Sequence, residues 1–308
     1  MKKILAYLLL ILLTCSCQKA EVDIPDTGRK LVINGLITTD SLLNVLISKS
    51  HYAVGLNWES RFYLFDSANV SIYSNNTFLD SLHYWSTDYK YYSHNYVYPL
   101  SNYRFGNAYP IPGNEYKIIV KKQGYPDATA TTIIPRLVKI EKVDTSRTIV
   151  DAFYGLTFDM NCKIEFTDPP GEQNFYLINM VARRNLTHEY MYFESKDPII
   201  EEELPSHSSR GNYILTYGYA FSDKLIDGKK YSLNVLFASN FYSNCTIYFR
   251  LLSITEDYFK FIQTMNLFNA TYTDPLSEPV MVYSNVSGGY GIFAGAAVST
   301  DSIIFHTK

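Results

Sequence analysis

Short runs of alternating apolar and polar residues recur along this chain, and turn-forming residues close most of them. In the run 115–121, Tyr116, Ile118 and Val120 occupy every second position. Successive residues of a strand point to opposite faces, so this spacing predicts a half-buried strand. Tyrosine, which favours strands, supplies 28 of the 308 residues. We therefore predict an all-β fold.

Turn signals also suggest how the strands are grouped. A turn cluster at 110–114 precedes one strand, and a β-branched run at 128–134 ends at Pro135. About 100 residues is the usual size of a small sandwich. We predict two antiparallel β-sandwich-like domains: an N-terminal Ig-like sandwich at 31–135 and a β-rich domain at 136–308.

One helix is predicted within the second domain. Ser253 and Glu256 have the spacing of a capping box, which marks the start of many helices. Apolar residues then recur at helical spacings of three and four, namely Tyr258, Phe259, Ile262, Met265 and Phe268. The helix should lie near 254–268 and pack on the protein's own sheet rather than on a partner.

The first residues have the pattern of an export signal. Lys2 and Lys3 precede ten apolar residues, 4–13. This run is too short for a relaxed membrane-spanning helix, which needs roughly 20 apolar residues. A secretory peptide cut at a nearby site is one reading. The cysteines that follow favour another, in which residues 1–17 form a lipoprotein signal peptide and lipobox.

Two cysteines compete for the lipid anchor. Cys15 has Leu12 at the third position before it but the bulkier Thr14 directly before it. Cys17 has the small Ser16 directly before it, and we favour Cys17 for that reason. Two or three acyl chains such as palmitate would hold durably where one holds only marginally. Residues 18–30 are polar and should form a short flexible tether between the lipid and the first domain.

Two further cysteines, Cys162 and Cys245, each lie in a strand-like alternation. Cys162 shares a face with Ile164 and Phe166, and Cys245 shares a face with Ile247 and Phe249, so both should point inward. An exported protein permits a disulfide between them. Two buried thiols are the alternative, because inward cysteines commonly just pack.

Several segments in a fixed order resemble a Bacteroidetes family of outer-membrane lipoproteins whose domain has no known function. The segments are 31–38, 112–118, 166–176, 221–231 and 285–293. The tail that follows Cys17, residues 18–23, also resembles the charged export tag that directs some of these lipoproteins to the cell surface. The resemblance implies a lipid-anchored protein of the outer membrane that faces outward.

The same resemblance implies a partner. Members of the family are typically encoded beside a TonB-dependent receptor, so the expected role is accessory or ligand-binding partner of a nutrient transporter. The family offers no catalytic residues to carry over to this chain. A stand-alone glycan-binding or adhesion lipoprotein is the first alternative, and a hydrolase of an unrecognised class is the second.

Composition and motifs limit the other functions. The net charge of −3 gives no electrostatic footprint for nucleic acid. His188 and Glu189 lack the second histidine that a zinc helix needs, and no nucleophile elbow is present. The acidic run Glu201 to Glu203 is typical of a solvated loop. We predict no enzyme, no metal and no cofactor.

A tyrosine-rich stretch is the candidate binding site. Its members are Tyr84, Trp85, Tyr91, Tyr92, Tyr96 and Tyr98. Tyrosine suits surfaces that are apolar at one end and wet at the other, so these residues could stack on sugars or form an interface. The simpler alternative is a sheet in which alternate tyrosines pack on one side and face water on the other.

Overall fold

The computed structural model describes residues 28–50, 67–84, 90–93, 96–99, 103–104, 106, 109–151, 157–184, 187–201, 218–238, 245–271, 278 and 280–305. These residues form strands and two helices. The strands are β1 (Leu31–Thr38), β2 (Asn44–Lys49), β3 (Asn69–Ser74), β4 (Thr77–Tyr84), β5 (Lys90–Ser93), β6 (Tyr96–Pro99), β7 (Tyr103–Arg104), β8 (Glu115–Lys121), β9 (Ala128–Ile133), β10 (Ile140–Asp151), β11 (Thr157–Thr167), β12 (Phe175–Arg184), β13 (Thr187–Tyr190), β14 (Tyr219–Ser222), β15 (Lys230–Phe237), β16 (Cys245–Ile254) and β17 (Tyr290–Phe305). The helices are α1 (Pro198–Glu201) and α2 (Glu256–Thr271).

The prediction of an all-β fold with one substantial helix is confirmed. Strand β8 illustrates the cause: Tyr116, Ile118 and Val120 are buried, whereas Lys117 and Lys121 are exposed. The alternation read from the sequence is therefore the alternation between core and solvent. No helix in the described part of the chain has the length and apolar character needed to cross a membrane.

The first sandwich is built by one hydrogen-bonded path of strands, β17-β1-β2-β7-β4-β3-β8-β9. Strands from both ends of this path contribute to one core, which contains Ile33 of β1, Ile118 of β8 and Phe293 of β17. The path must therefore wrap around that core. Thr129 at the start of β9 exchanges two backbone hydrogen bonds with Ser287, just before β17, and so nearly closes the path.

The second sandwich packs a three-stranded sheet, β10-β11-β15, against the strands β12 and β16. Phe166 of β11 lies among aromatic rings from the facing sheet, including Tyr176 at a centroid distance of 5.6 Å. Full burial of one such side chain stabilises the fold by about 1.5–3 kcal/mol. The two predicted inward faces, led by Cys162 and Cys245, both belong to this core.

Strand β17 belongs to both sandwiches. Its first part, from Tyr290 to Ala296, pairs with β1 in parallel, and its later part, from Ala296 to Phe305, pairs with β16 antiparallel. The parallel pair departs from the predicted antiparallel arrangement. It arises because the chain enters β17 beside the start of β1, at Val32. The domain boundary at Pro135 stays a prediction. Strand β17 belongs by sequence to the predicted second domain, but it pairs with β1 of the predicted first domain.

Helix α2 covers one face of the sheet that contains β12 and β16. This face points away from the core of the second sandwich. Tyr258, Phe259 and Ile262 are buried there against Leu177 and Leu252 of the sheet. The predicted helix and its packing on the protein's own sheet are confirmed. The predicted cap is wrong. Ser253 lies within β16 and its hydroxyl accepts a hydrogen bond from the Val138 amide, whereas the Thr255 hydroxyl accepts one from the Tyr258 amide.

Candidate functional site

The tyrosine-rich stretch is an insertion between two strands that pair with each other. Tyr84 of β4 pairs with Tyr103 of β7, and His83 pairs with Arg104. The chain between them, 85–102, contains the hairpin of β5 and β6. Among the described residues this hairpin forms a sheet of its own. The insertion therefore leaves and re-enters the first sandwich at a single place.

The backbone register of the hairpin is defined for four of its tyrosines. Tyr91 lies opposite Tyr98, Tyr92 lies opposite Val97, and Ser93 lies opposite Tyr96. The two strands therefore bring the tyrosines of the stretch side by side in one β-ribbon. Trp85 lies outside the described residues.

Tyr84 marks the root of the insertion. Its ring meets Tyr103 edge-on at a centroid distance of 5.9 Å, and 46% of Tyr84 is exposed. Tyr103 is buried, and its hydroxyl accepts a hydrogen bond from the Ala68 amide at 2.7 Å. The buried ring fixes the position of the exposed ring. An exposed aromatic held in one place loses little conformational freedom on binding, which favours recognition.

The same strand exposes further apolar side chains. Phe78 and Leu79 of β4 are both exposed, and Phe78 meets Tyr73 edge-on at 5.4 Å. A register shift between Ile72 and Tyr73 places an extra residue in β4 at this point. Exposed apolar side chains gathered on one element often mark an interaction surface. Strand β4 thus exposes Phe78 and Leu79 near its start and Tyr84 at its end, at the root of the hairpin.

The candidate anchor cysteines, Cys15 and Cys17, lie outside the described residues. Cys162 and Cys245 are both buried, and the structure has them as thiols rather than a disulfide. Burial raises the pKa of the Cys162 thiol to about 12. Of the two alternatives that the sequence left open, the structure contains the pair of buried thiols.

A carboxylate cluster that the sequence analysis did not identify lies at one end of the second sandwich. Carboxylate oxygens of Asp168, Asp223 and Asp227 lie within 4.8 Å of one another. Asp168 follows β11, and the other two lie in the turn between β14 and β15. Such oxygens are the ligands that Ca²⁺ takes in proteins, so these three are residues, within the described part of the chain, that could hold a hard cation.

Each carboxylate of the cluster accepts at least one hydrogen bond from the protein itself. Asp168 accepts from the Tyr176 hydroxyl and from the Gly228 amide, the latter at 2.9 Å. Asp223 accepts from the Asn174 amide at 2.6 Å, and Asp227 accepts from the Gly171 amide at 2.8 Å. Each carboxylate therefore binds the opposite turn. The cluster joins the β11–β12 turn to the β14–β15 turn.

Burial and the closeness of the three carboxylates change the pKa values of Asp168 and Tyr176. Burial raises the pKa of Asp168 above its ordinary value, and the negative charges of Asp223 and Asp227 raise it further, against the hydrogen bonds that lower it. Burial and Asp168 likewise raise the pKa of Tyr176, so its hydroxyl keeps the proton that it donates. The signal in the sequence was a pair of turns that each contain an aspartate and a glycine, at 168–171 and 227–228. Only the fold brings these two turns together.

Taken together, these features define an all-β protein of two sandwiches that share a strand and carry a tyrosine-rich hairpin. Residues 18–302 match the family described as a domain of unknown function, DUF4249. The match covers most of the chain, and the protein belongs to this family. Comparison with curated proteins finds no match.

Proposed function

We propose that this protein is a surface-facing outer-membrane lipoprotein that serves as an accessory or ligand-binding partner of a TonB-dependent nutrient transporter. The observation that carries the proposal is the tyrosine-rich hairpin, with Tyr91 and Tyr98 at opposed positions in an insertion of the first sandwich. Tyrosine is enriched in the cores of protein interfaces. The family resemblance links such chains to a receptor barrel.

The anchor is the second part of the proposal. The lysines at positions 2 and 3, the apolar run and Cys17 fit a lipoprotein signal, with Cys15 as the alternative cysteine. The test is labelling of cells with palmitate. We expect Cys17→Ala to abolish incorporation and Cys15→Ala to preserve it. Label that remains in the double variant would refute the anchor.

Recovery of a transporter from detergent-solubilised outer membrane tests the partnership. A tagged chain should co-purify with a barrel of outer-membrane size. Tyr91→Ala with Tyr98→Ala should reduce that recovery by about tenfold or more, since loss of one interface hot spot costs 2 kcal/mol or more. Tyr109→Ala with Tyr192→Ala is the matched control, because both tyrosines are about half exposed and lie outside the hairpin. Absence of any barrel from the wild-type sample would overturn the partnership.

The same tyrosines also favour a second candidate, a glycan-binding lipoprotein. Tyrosine and tryptophan rings stack on sugar rings as well as on protein side chains. Glycan-array binding that is lost in Tyr91→Ala or Trp85→Ala, with no barrel recovered, would favour this alternative. Turnover of a polymer by the purified protein would contradict both binding roles, which we propose in preference to an enzymatic one.

A further inference from the structure

The end of the first sandwich where β1 begins gathers several strand ends. Leu31 at the start of β1 pairs with Lys49 at the end of β2, and Tyr290 at the start of β17 pairs with Val32. On the facing side, Lys121 ends β8. Segments 286–290 and 127–129 bridge the two sides through the Thr129–Ser287 hydrogen bonds. We call this end, residues 28–32, 48–50, 67–69, 120–129 and 286–290, the tether pole.

Positive charge is concentrated at the tether pole. Its described residues include five cations, Arg29, Lys30, Lys49, Lys121 and Lys122, and one carboxylate, Asp127. Five positive charges and one negative charge give a net charge of +4. The whole chain has a net charge of −3, so the tether pole has the opposite sign to the molecule that carries it.

Aromatic side chains accompany these charges. The ammonium of Lys30 lies 4.8 Å from the centroid of the Tyr290 ring, and 43% of Tyr290 is exposed. Lys121 pairs with Asp127 at 3.1 Å, and both side chains are more than half exposed. Lysine and tyrosine both carry an apolar body with a polar tip, which suits the headgroup region of a membrane.

The position of the tether pole along the chain indicates which surface it would contact. Eleven residue steps separate Cys17 from Gly28. A fully extended chain spans at most about 3.6 Å per residue, so the acylated cysteine of the proposed anchor would lie within about 40 Å of the tether pole. The chain enters the fold at this end. A lipid on Cys17 would therefore bring this end to the membrane first.

We propose that the tether pole is a docking surface for the anionic phosphate headgroups of the membrane that carries the lipid anchor. This inference rests on the proposed anchor for the nearness of the membrane, but the contact is a separate interaction. The acyl chains would hold the protein on the bilayer, and the tether pole would fix its orientation. The hairpin would then be presented at a defined angle to a neighbouring barrel.

Vesicle co-sedimentation tests the contact without the anchor. The probe is the chain from residue 18 onward, which lacks the lipid-bearing cysteine and retains every described residue. We expect it to bind vesicles of phosphatidylcholine mixed with phosphatidylglycerol and not vesicles of phosphatidylcholine alone. Raising the salt from about 0.1 M to about 1 M shortens the screening length from about 10 Å to about 3 Å and should release it.

Charge reversals separate the tether pole from net charge. Arg29→Glu with Lys121→Glu changes two exposed cations of the tether pole. Lys139→Glu with Lys163→Glu is the matched control, because both lysines are exposed, both lie outside the tether pole and the change in net charge is the same. The first pair should weaken vesicle binding by about 25-fold or more, at roughly fivefold per cation. The control pair should change it by less than about threefold if only cations near the surface contribute.

Three results would overturn the inference. In the first, the wild type would show no preference for anionic vesicles, and in the second, both pairs of reversals would weaken vesicle binding equally. In the third, Arg29→Glu with Lys121→Glu would leave vesicle binding unchanged and instead abolish recovery of the barrel. The last would place a protein at the tether pole. Melting temperatures of the variants show whether each remains folded. Failure of palmitate labelling would refute the anchor while leaving the vesicle result intact, so the two proposals fail separately.

Discussion

The carboxylate of Asp40 lies 2.6 Å from the guanidinium of Arg250, although 210 positions separate the two residues in the chain. Asp40 lies in the turn between β1 and β2, and Arg250 lies in β16. The Thr38 hydroxyl donates a hydrogen bond to the other oxygen of Asp40 at 2.7 Å and so orients the carboxylate. The ion pair therefore connects the two sandwiches near the point where β17 changes partners.

This pair should contribute measurably to the free energy of unfolding. Arg250 is only 19% exposed, which lessens screening by water. A double-mutant cycle with Asp40→Asn and Arg250→Met should give a coupling of about 1 kcal/mol in chemical denaturation. Lys142 and Asp144, both at least half exposed, provide the control pair and should give less than about 0.5 kcal/mol. Equal couplings in the two pairs would contradict a special contribution of the ion pair that connects the two sandwiches.

Close contact between β17 and β1 predicts a severe effect of adding one methyl group. Gly291 has a φ of 104°, and a Cβ there would lie 2.1 Å from the Ile33 carbonyl oxygen. Gly291→Ala should destabilise the protein by about 3 kcal/mol or more, because the strained backbone alone costs about 1–3 kcal/mol.

Gly113→Ala is the control for that substitution. Gly113 also has a positive φ, 84°, but no atom lies within 4 Å of the added Cβ. It should lose only about 1–2 kcal/mol, the cost of the left-handed backbone. Thermal unfolding measures both variants. If Gly291→Ala were as mild as Gly113→Ala, the close approach of β1 and β17 would be wrong.

Tyr176→Phe should destabilise the second sandwich in a pH-dependent manner. The variant removes a donor from the buried Asp168 carboxylate, at a cost of about 1–3 kcal/mol near neutral pH. That donor lowers the pKa of Asp168, so its loss raises the pKa further. The deficit should be largest above the folded pKa and shrink as the pH falls and Asp168 takes up a proton.

Urea unfolding at several pH values measures this deficit. Tyr109→Phe removes the hydroxyl of a tyrosine that is 54% exposed and should change stability by less than about 0.5 kcal/mol at every pH. A deficit for Tyr176→Phe that does not depend on pH would mean that the hydroxyl does not tune the Asp168 carboxylate.

Thiol titration separates the two fates of Cys162 and Cys245. The raised pKa of Cys162 leaves almost no reactive thiolate near pH 8, so Cys162 should resist a thiol reagent in the folded protein. In denaturant without reductant, the chain from residue 18 onward should expose two reactive thiols. A count of zero would establish the disulfide instead.

Sequence patterns predicted the parts of the fold that depend on neighbouring residues. The alternation of Tyr116, Ile118 and Val120 and the stripe that begins at Tyr258 each reflect a local period. The helix cap was predicted at Ser253 because its spacing to Glu256 fits a capping box, but Ser253 lies in β16, where its hydroxyl binds Val138. A tertiary contact had replaced the local one.

Pairings between distant residues could not be read in the same way. An alternating pattern marks a strand but does not name its neighbour, so the parallel pairing of the first half of β17 with β1 could not be predicted. The tyrosine stretch was recognised by composition, but the pairing of Tyr91 with Tyr98 required the register of the folded hairpin. The carboxylate cluster was missed because Asp168 and Asp227 are 59 positions apart and each resembles an ordinary turn residue.

The shared strand β17 also determines when the protein can finish folding. The neighbour that pairs with Val32 to Thr38 of β1 lies in residues 290–296. The first sandwich therefore stays incomplete while residues 136–289 are being synthesised. The two sandwiches cannot fold one after the other as independent units, because the strand that completes the first is made after most of the second.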